Sequence, residues 1–251
     1  MLHTMSRVPL VLLWVWINLL PFAIDNQRQP LAILEDGINK PWRPLPSKRC
    51  TPAEARAFML IGYPLALCLS YYTGNMKQCV SLMILGYWYN DLGGADNGFL
   101  MRNFINGCGY ICFAWGALNT ASNYNDTPRL TIQAHRWLLI LGAVVMSTVP
   151  TQDLYDQAGD KLRGRQTMPL ILGDSITRWI LAGILAFWSV WCPWYWSLSY
   201  VWHLPTMFIG GTIIYRMLTK RSVSEDKMTF RVWNLWVVLL YTFPLVKRLT
   251  S

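Results

Sequence analysis

Long apolar runs alternate with short polar segments along most of this 251-residue chain. A helix needs about 20 mostly apolar residues to cross the hydrocarbon core of a bilayer. Reading for such runs predicts eight spans, and two of these runs are short, so their limits are soft. The predicted spans are 8–24, 53–73, 76–90, 103–121, 136–151, 174–192, 196–216 and 230–247. The pattern therefore predicts an all-α, polytopic transmembrane bundle forming one domain over residues 1–251.

The first apolar run, which begins at Arg7-Val8-Pro9, allows two interpretations. A basic residue ahead of an apolar stretch is also typical of a secretory signal peptide. A small-residue cleavage site is missing, and the run leads directly into an acidic, Asn-rich segment. We interpret it as a membrane span and keep the signal peptide as the alternative.

Composition narrows the class of protein further. Hydrophobic residues make up 53% of the chain and charged residues 14%, whereas a soluble domain carries about 25% charged residues. These values exclude a disordered chain, a nucleic-acid-binding domain and most soluble enzymes. The six cysteines form no CxxC pair, so we expect reduced core thiols and neither a disulfide framework nor a zinc site. They are Cys50, Cys68, Cys79, Cys108, Cys112 and Cys192.

The formal charge of +9 is distributed unevenly between the two sides of the predicted bundle. Sixteen of the 22 Lys and Arg residues follow spans one, three, five and seven, which places that side in the cytosol. Twelve of the 13 Asp and Glu residues lie on the same side, and Asp126 is the exception. Acids and bases gathered at one mouth of a bundle indicate a site for a metal and an anion.

The sharpest motif is an acidic stretch at the end of the fifth predicted span. Asp153, Asp156 and Asp160 are spaced i, i+3 and i+7, so on a helix they share one face. Like charges at that spacing repel, and a bridging cation removes the repulsion. Mg²⁺ is typically held by one or two carboxylates, with phosphate oxygens completing its shell. The alternative is a solvated helix end whose acids pair with the basic residues that follow, Lys161, Arg163 and Arg165.

A second polar cluster follows the first predicted span, between residues 25 and 46. The candidate metal ligands are Glu35 and Asp36, joined by Asp25 or Asn26. Lys40 and Arg43 are candidate phosphate-binding cations, because Arg can hold phosphate oxygens bidentately. Prolines at positions 41, 44 and 46 predict a stiff, non-helical loop. Taken alone, the segment also fits an ordinary basic cytosolic loop.

Two acidic clusters, each followed by Lys and Arg, suit a diphosphate held through Mg²⁺. The metal and the cations would stabilise the negative charge that develops on the departing diphosphate. The other product of that ionisation is a carbocation, which is most easily formed when it is allylic. An apolar, aromatic-lined cavity would accept a prenyl tail and stabilise the cation by cation–π contact.

At these motifs the chain resembles the UbiA superfamily of intramembrane prenyltransferases. Residues 39–46, Asn-Lys-Pro-Trp-Arg-Pro-Leu-Pro, are similar to the RPLP-type loop that follows the family's first acidic motif. Residues 152–160, with the extension at 164–169, are similar to its second motif. The resemblance covers most of the chain and implies a helical bundle that binds a prenyl diphosphate through Mg²⁺. By that resemblance, Asp36, Asp153, Asp156 and Asp160 bind the metal, and Asn26, Asn39, Lys40, Arg43, Lys161 and Arg165 bind the diphosphate.

The chain departs from the family pattern at its first motif. Asn26 and Asp36 are separated by ten positions instead of eight, and Pro30 stands where the middle Asp is expected. These changes weaken the assignment of Asn26 and leave Asp36 as the safer ligand. Family members usually have nine spans, so eight predicted spans correspond to one missing N-terminal helix.

The stretch 87–96, Tyr-Trp-Tyr-Asn-Asp-Leu-Gly-Gly-Ala-Asp, bears on the reaction. Together with residues 101–110 it resembles the fungal UbiA-type terpene cyclases, which ionise a prenyl diphosphate and fold the cation onto its own double bonds. The resemblance favours farnesyl diphosphate as substrate. It places four further residues at the diphosphate, namely Asn90, Asp91, Arg102 and Asn103. The local alternative is a polar turn at Gly93-Gly94.

We therefore expect a Mg²⁺-dependent terpene cyclase that spans the endoplasmic reticulum membrane several times, with its active site facing the cytosol. The runner-up is a prenyltransferase that passes the prenyl group to an aromatic acceptor. A transporter or a non-catalytic scaffold is the third possibility, although transporters usually place their binding groups near the midplane of the bilayer.

Overall fold

The computed structural model describes residues 5–122 and 131–250, and Asp126 lies outside them. The described residues form helices and connecting turns, with no β-strand among them. The predicted all-α fold is therefore confirmed. The helices are α1 (Val8–Arg28), α2 (Pro30–Asn39), α3 (Pro52–Tyr72), α4 (Met76–Asn90), α5 (Phe99–Ser122), α6 (Ile132–Thr148), α7 (Asp153–Arg163), α8 (Met168–Leu172), α9 (Asp174–Tyr195), α10 (Tyr200–Thr219), α11 (Val223–Tyr241) and α12 (Phe243–Thr250).

Each predicted span coincides largely with one helix, but not every helix is apolar and long enough to count as a span. Within the described residues four helices meet both criteria, namely α1, α3, α6 with its 3₁₀ extension to Thr151, and α9. The helices α11 and α12 meet them as a pair, bent by 40° at Thr242. Residues 5–122 and 131–250 thus contain four or five apolar spans by this measure, and a total of eight stays a prediction.

The polar cluster after the first span is more helical than a simple loop. The helix α1 continues through Asp25 and Asn26 to Arg28. Gln29 is extended, and Pro30 then begins α2, where its missing N–H leaves no helical hydrogen bond unmade. The prolines after Asn39 end that helix, so residues 40–50 form turns as the sequence predicts.

The chain divides into two compact units. The first comprises Met1–Met146 and Leu162–Arg165, and the second comprises Ser147–Lys161 and Gln166–Ser251. The expectation of a single domain over residues 1–251 stays a prediction.

The first unit is organised around α1, which packs against α3, α4 and α5. Three residues of α1 lie against glycines of these three helices, where an added Cβ atom would meet the α1 side chain at 3.1 Å or less. Small residues let helix backbones approach closely in membrane bundles. The pairs are Pro21 with Gly62, Phe22 with Gly86, and Trp14 with Gly116.

Trp14 also makes a polar contact inside this unit. Its ring is fully buried, and its Nε1–H donates a hydrogen bond of 2.9 Å to the Ser70 Oγ atom on α3. Trp14 thus packs against Gly116 of α5 and donates a hydrogen bond to α3, so α1 is a structural part of the bundle. This packing favours the membrane-span interpretation of the first run over the signal peptide.

The second unit is built from α9, α10 and α11, which pack in chain order. Gly210 of α10 lies directly against the Ser189 side chain of α9. The 3₁₀ turn that precedes α7 is held to α11, because the buried Trp233 donates its Nε1–H to Thr148 Oγ1 at 3.0 Å. This anchoring fixes where α7, which carries the acidic motif, begins.

Candidate functional site

The acidic motif lies on the first three turns of α7. Asp153 and Asp160 are 0% exposed and Asp156 is 2% exposed, so the face that these three aspartates share is buried. A solvated helix end would leave these carboxylates in water, whereas all three are buried. Lys161, the next residue, is exposed. Buried carboxylates are costly unless cations or hydrogen-bond donors compensate them.

The carboxylates on this face suit a Mg²⁺ ion that takes its remaining ligands from water and phosphate. In the described part of the chain, no group of three His, Cys, Asp or Glu side chains is close enough to hold a metal ion by itself. A complete protein cage is not what Mg²⁺ requires, because it usually takes one or two carboxylates together with water and phosphate oxygens. Three buried carboxylates on one helix face supply hard oxygen ligands of that kind.

Asp36 lies near the end of α2 and is bound by the proline loop. The Arg43 Nη1 atom donates to both carboxylate oxygens of Asp36, at 2.9 and 2.8 Å. The Lys40 N–H donates to the Asp36 carbonyl at 2.8 Å, and Asn39 is buried beside them. The structure therefore brings Asp36, Asn39, Lys40 and Arg43 together at the end of α2.

A further cluster joins the end of α1 to the end of α4. Asn90 donates its Nδ2–H to Asp25 Oδ2 at 3.3 Å, and both residues are buried. Arg28 bridges Asp25 and Asp91, with contacts of 2.6 and 3.1 Å. Asp91 is more exposed than Asn90 and lies at the rim of the cluster. Asn26 is the neighbour of Asp25 on α1, so the structure also brings Asn26, Asn90 and Asp91 to one end of the unit.

The two predicted residues at the start of α5 are buried at the same end. The Arg102 Nε–H donates to the Tyr89 hydroxyl at 3.3 Å, which joins the first turn of α5 to the last turns of α4. The Oδ1 atoms of Asn26, Asn90 and Asn103 are buried and accept no hydrogen bond from the described residues. Buried acceptors are normally satisfied, so these three amide oxygens are open to a ligand, an ion or water.

Two arginines and two carboxylates form a closed ring in the first unit. Glu35 accepts hydrogen bonds from Arg163 at 3.1 Å and from Arg165 at 2.9 Å. Asp96 binds the same two arginines, with each Nε at 3.1 Å from its Oδ1 atom. The side chains of Glu35, Arg163 and Arg165 are only 4–6% exposed. The ring ties α2, the loop before α5 and the segment 162–165 to each other.

This ring refines the sequence-based assignments. Glu35, a candidate metal ligand by sequence, has both carboxylate oxygens engaged by arginines. Arg165, a candidate diphosphate ligand, already carries two carboxylate partners. The roles of Asp96 and Arg163 were missed. The sequence offered one signal for ion pairing, namely that acids and bases are equal in number in the two motifs. That balance does not show which acid pairs with which base.

An apolar pocket lies between α1, α3 and α4, a few residues along the helices from the Asp25 cluster. Two of its lining residues, Asn18 and Tyr63, carry polar side chains. The lining comprises Asn18, Pro21, Phe22, Tyr63, Ala66, Leu82, Met83 and Gly86.

All six cysteines lie in the described residues and are free, as the sequence predicts.

The long apolar helices are those of an integral membrane protein. A family model, the UbiA prenyltransferase family, matches residues 22–238. The chain belongs to the UbiA family, whose members act on prenyl diphosphates in membranes.

The relatives include enzymes that are named for terpene synthesis. The chain is 28% identical to the fumagillin beta-trans-bergamotene synthase af520 of Aspergillus fumigatus, over 94% of this chain and 80% of that protein. It is 26% identical to the somaliensene A/B synthase of Streptomyces somaliensis, over 90% of this chain and 75% of that protein.

A solved structure shares the fold. The structure described for a digeranylgeranylglyceryl phosphate synthase in membranes superposes with a TM-score of 0.61 at 18% identity. The match covers 94% of this chain and 85% of that one. At this identity the likeness supports the fold alone.

Proposed function

We propose that the protein is a Mg²⁺-dependent, membrane-bound terpene cyclase. It ionises a prenyl diphosphate, for which we favour farnesyl diphosphate, and cyclises the carbocation to a terpene hydrocarbon with release of diphosphate. This reaction belongs to secondary metabolism. The observation that carries the proposal is the buried face of Asp153, Asp156 and Asp160 on α7. Buried carboxylates that share one helix face suit a bridging cation and the metal-assisted departure of an anion.

The metal ligands in this proposal are Asp36, Asp153, Asp156 and Asp160. Bound Mg²⁺ would supply Lewis-acid stabilisation of the charge that develops on the leaving oxygen. The proposed clamp on the diphosphate is formed by four cations, Lys40, Arg43, Lys161 and Arg165. Six further residues orient the diphosphate, namely Asn26, Asn39, Asn90, Asp91, Arg102 and Asn103.

The contacts of the free protein support this division of roles. Without substrate, Arg43 pairs with Asp36 and Arg165 pairs with Glu35. Each guanidinium is therefore held in one position by an acidic residue. A diphosphate carries more charge than a carboxylate and accepts bidentate hydrogen bonds from Arg. The incoming anion can therefore take over donors that are already ordered.

Cyclisation is favoured over transfer because both reported relatives are named as synthases of terpenes. The polar stretch 87–96 resembles the cyclase pattern, and two of its residues make contacts across the first unit, since Asn90 bonds the buried Asp25 and the partly exposed Asp96 pairs with Arg163. We further propose that the site faces the cytosol from the endoplasmic reticulum membrane.

Transfer of the prenyl group to an aromatic acceptor is the second candidate, since the matching family is described by prenyl transfer. Both reactions release diphosphate, so the acceptor distinguishes them. Membranes that contain the protein are incubated with farnesyl diphosphate and Mg²⁺, and diphosphate release is followed. Release without an acceptor supports cyclisation. Release that begins only when an aromatic acid is added supports transfer, and no release under either condition refutes both.

A further inference from the structure

The acidic face of α7 can bind one metal–diphosphate complex only if the helix has a fixed rotation about its own axis. Side chains on the remaining faces of α7 must set that rotation. Gln157 follows Asp156 and lies three residues before Asp160, so it flanks the acidic face. Its Nε2 atom donates to Asp174 Oδ1 at 2.9 Å and to the Leu154 carbonyl at 3.0 Å. Gln157 thus ties α7 to the first turn of α9.

Asp174 is itself fixed by a buried arginine. Arg178, one turn later on α9, donates its Nε–H to Asp174 Oδ2 at 2.8 Å. The Arg178 side chain is 1% exposed, so water does not reach the guanidinium, whereas the Asp174 side chain is 33% exposed. Each oxygen of the Asp174 carboxylate therefore has its own partner, Gln157 on one side and Arg178 on the other.

The other nitrogens of Arg178 reach two more helices. Nη1 and Nη2 donate to the two carboxylate oxygens of Asp226, at 2.8 and 2.7 Å. Nη1 also donates to the Met217 carbonyl at 2.8 Å. Asp226 is 2% exposed and lies in the first turn of α11, whereas Met217 lies in the last turn of α10. The guanidinium therefore fastens α9, α10 and α11 at one point.

A buried ion pair of this kind is weak evidence for stability, because apolar residues of the same size stabilise a core equally well. What it supplies is geometry, since a planar guanidinium donates its hydrogen bonds in fixed directions. The opposite side of α7 is restrained independently. The Tyr155 ring packs against Phe230 with 5.8 Å between centroids, and the Lys227 Nζ atom lies 5.9 Å from the Tyr155 centroid. The helix is thus held from two directions.

We propose that the chain of contacts Gln157–Asp174–Arg178–Asp226 positions the acidic face of α7 for the metal–diphosphate complex. Gln157 and Asp174 are then positioning residues that act through α7 and do not touch the substrate. This inference rests on the proposed function, because it presumes that the three aspartates bind the metal.

The test measures binding of Mg²⁺ with inorganic diphosphate, apart from turnover. Purified protein in detergent is heated at increasing Mg²⁺ and constant diphosphate, and the Mg²⁺ concentration that gives half of the rise in Tm is recorded. Changing a residue that orients a metal ligand typically costs about 10- to 100-fold in affinity. We expect Gln157→Leu to raise the half-point at least about tenfold, while its Tm without ligand stays close to that of the parent protein.

Two variants and a control complete the design. Gln157→Lys keeps a donor toward Asp174 and should restore most of the affinity, whereas Asp174→Asn should weaken binding in the same direction as Gln157→Leu. Asn234→Leu is the matched control, because its exposed amide donates at 2.8 Å to the Phe230 carbonyl of its own helix. The half-point of this control should be unchanged.

The outcomes separate the two proposals. If the parent protein is stabilised by Mg²⁺ and diphosphate but Gln157→Leu and Asp174→Asn bind as the parent does, the positioning role is refuted and the proposed function stands. If the parent protein shows no Mg²⁺-dependent stabilisation at all, the proposed function is refuted and the positioning role is refuted with it.

Discussion

Replacing Gly116 by alanine tests the packing of α1 at its tightest point. An added Cβ atom at this position would lie within 3.0 Å of three atoms of the Trp14 ring. The ring is fully buried and its Nε1–H is bonded to Ser70, so it cannot move away freely. Overpacking of this kind costs about 1–3 kcal/mol. Displacing the indole would also weaken a hydrogen bond worth about 0.5–1.5 kcal/mol.

Alanine forms helices better than glycine by up to about 1 kcal/mol, which offsets part of that cost. We therefore expect Gly116→Ala to lower the free energy of unfolding by about 1–3 kcal/mol. The control is Gly109→Ala on the same helix, because nothing lies within 4 Å of a Cβ atom built there. This control should be neutral or slightly more stable than the parent protein.

The free energy of unfolding is measured in mixed detergent micelles. The fraction of denaturing detergent is raised stepwise, and tryptophan fluorescence reports the unfolded fraction. The double variant Trp14→Phe with Gly116→Ala should be less destabilised than the two single effects added together, because the smaller ring leaves room for the methyl group. Equal stability of Gly116→Ala and Gly109→Ala would refute the tight packing of Trp14 against Gly116.

Three further changes test other parts of the structure. Asp156→Ala and Asp36→Ala should each abolish most diphosphate release while the circular dichroism spectrum stays helical; near-normal rates in both would refute the metal-site assignment. Glu35→Gln removes one charge from the buried ring with Arg163 and Arg165, and should lower the free energy of unfolding by about 2–3 kcal/mol; an unchanged Tm would show that the ring contributes nothing. Asp226→Asn removes the more buried of the two carboxylates that pair with the Arg178 guanidinium and should cost about 3–5 kcal/mol in the same assay; a loss below about 1 kcal/mol would contradict a buried pair.

Local rules were enough to predict much of the fold. Runs of apolar residues located the long helices, and the prolines after Asn39 correctly predicted a non-helical stretch. The break at Pro30 was within reach of the same rule, because proline favours the first turn of a new helix. The bend at Thr242 was within reach of the same kind of rule, because Pro244 has no N–H for a helical hydrogen bond and its ring clashes with the carbonyl four residues earlier.

The site was predictable only where its residues are close in sequence. The spacing of Asp153, Asp156 and Asp160 was enough to place them on one face, and that face is buried. The ring of Glu35, Asp96, Arg163 and Arg165 was not predictable. Glu35 and Arg163 are 128 positions apart, and each could pair with other charged side chains of the two motifs. The same applies to Arg178 and Asp226, which are 48 positions apart and meet only when α9 and α11 both pack against α10. Ion pairing across a fold depends on three-dimensional placement that composition does not contain.

The most direct test of the proposed reaction uses farnesyl diphosphate without any acceptor. Membranes that contain the protein are incubated with farnesyl diphosphate and Mg²⁺, and the headspace is analysed for volatile hydrocarbons by gas chromatography. We predict a terpene hydrocarbon that disappears when EDTA is added and is absent with Asp156→Ala. Diphosphate release with no hydrocarbon, or a product that appears only after an aromatic acid is supplied, would contradict the cyclase.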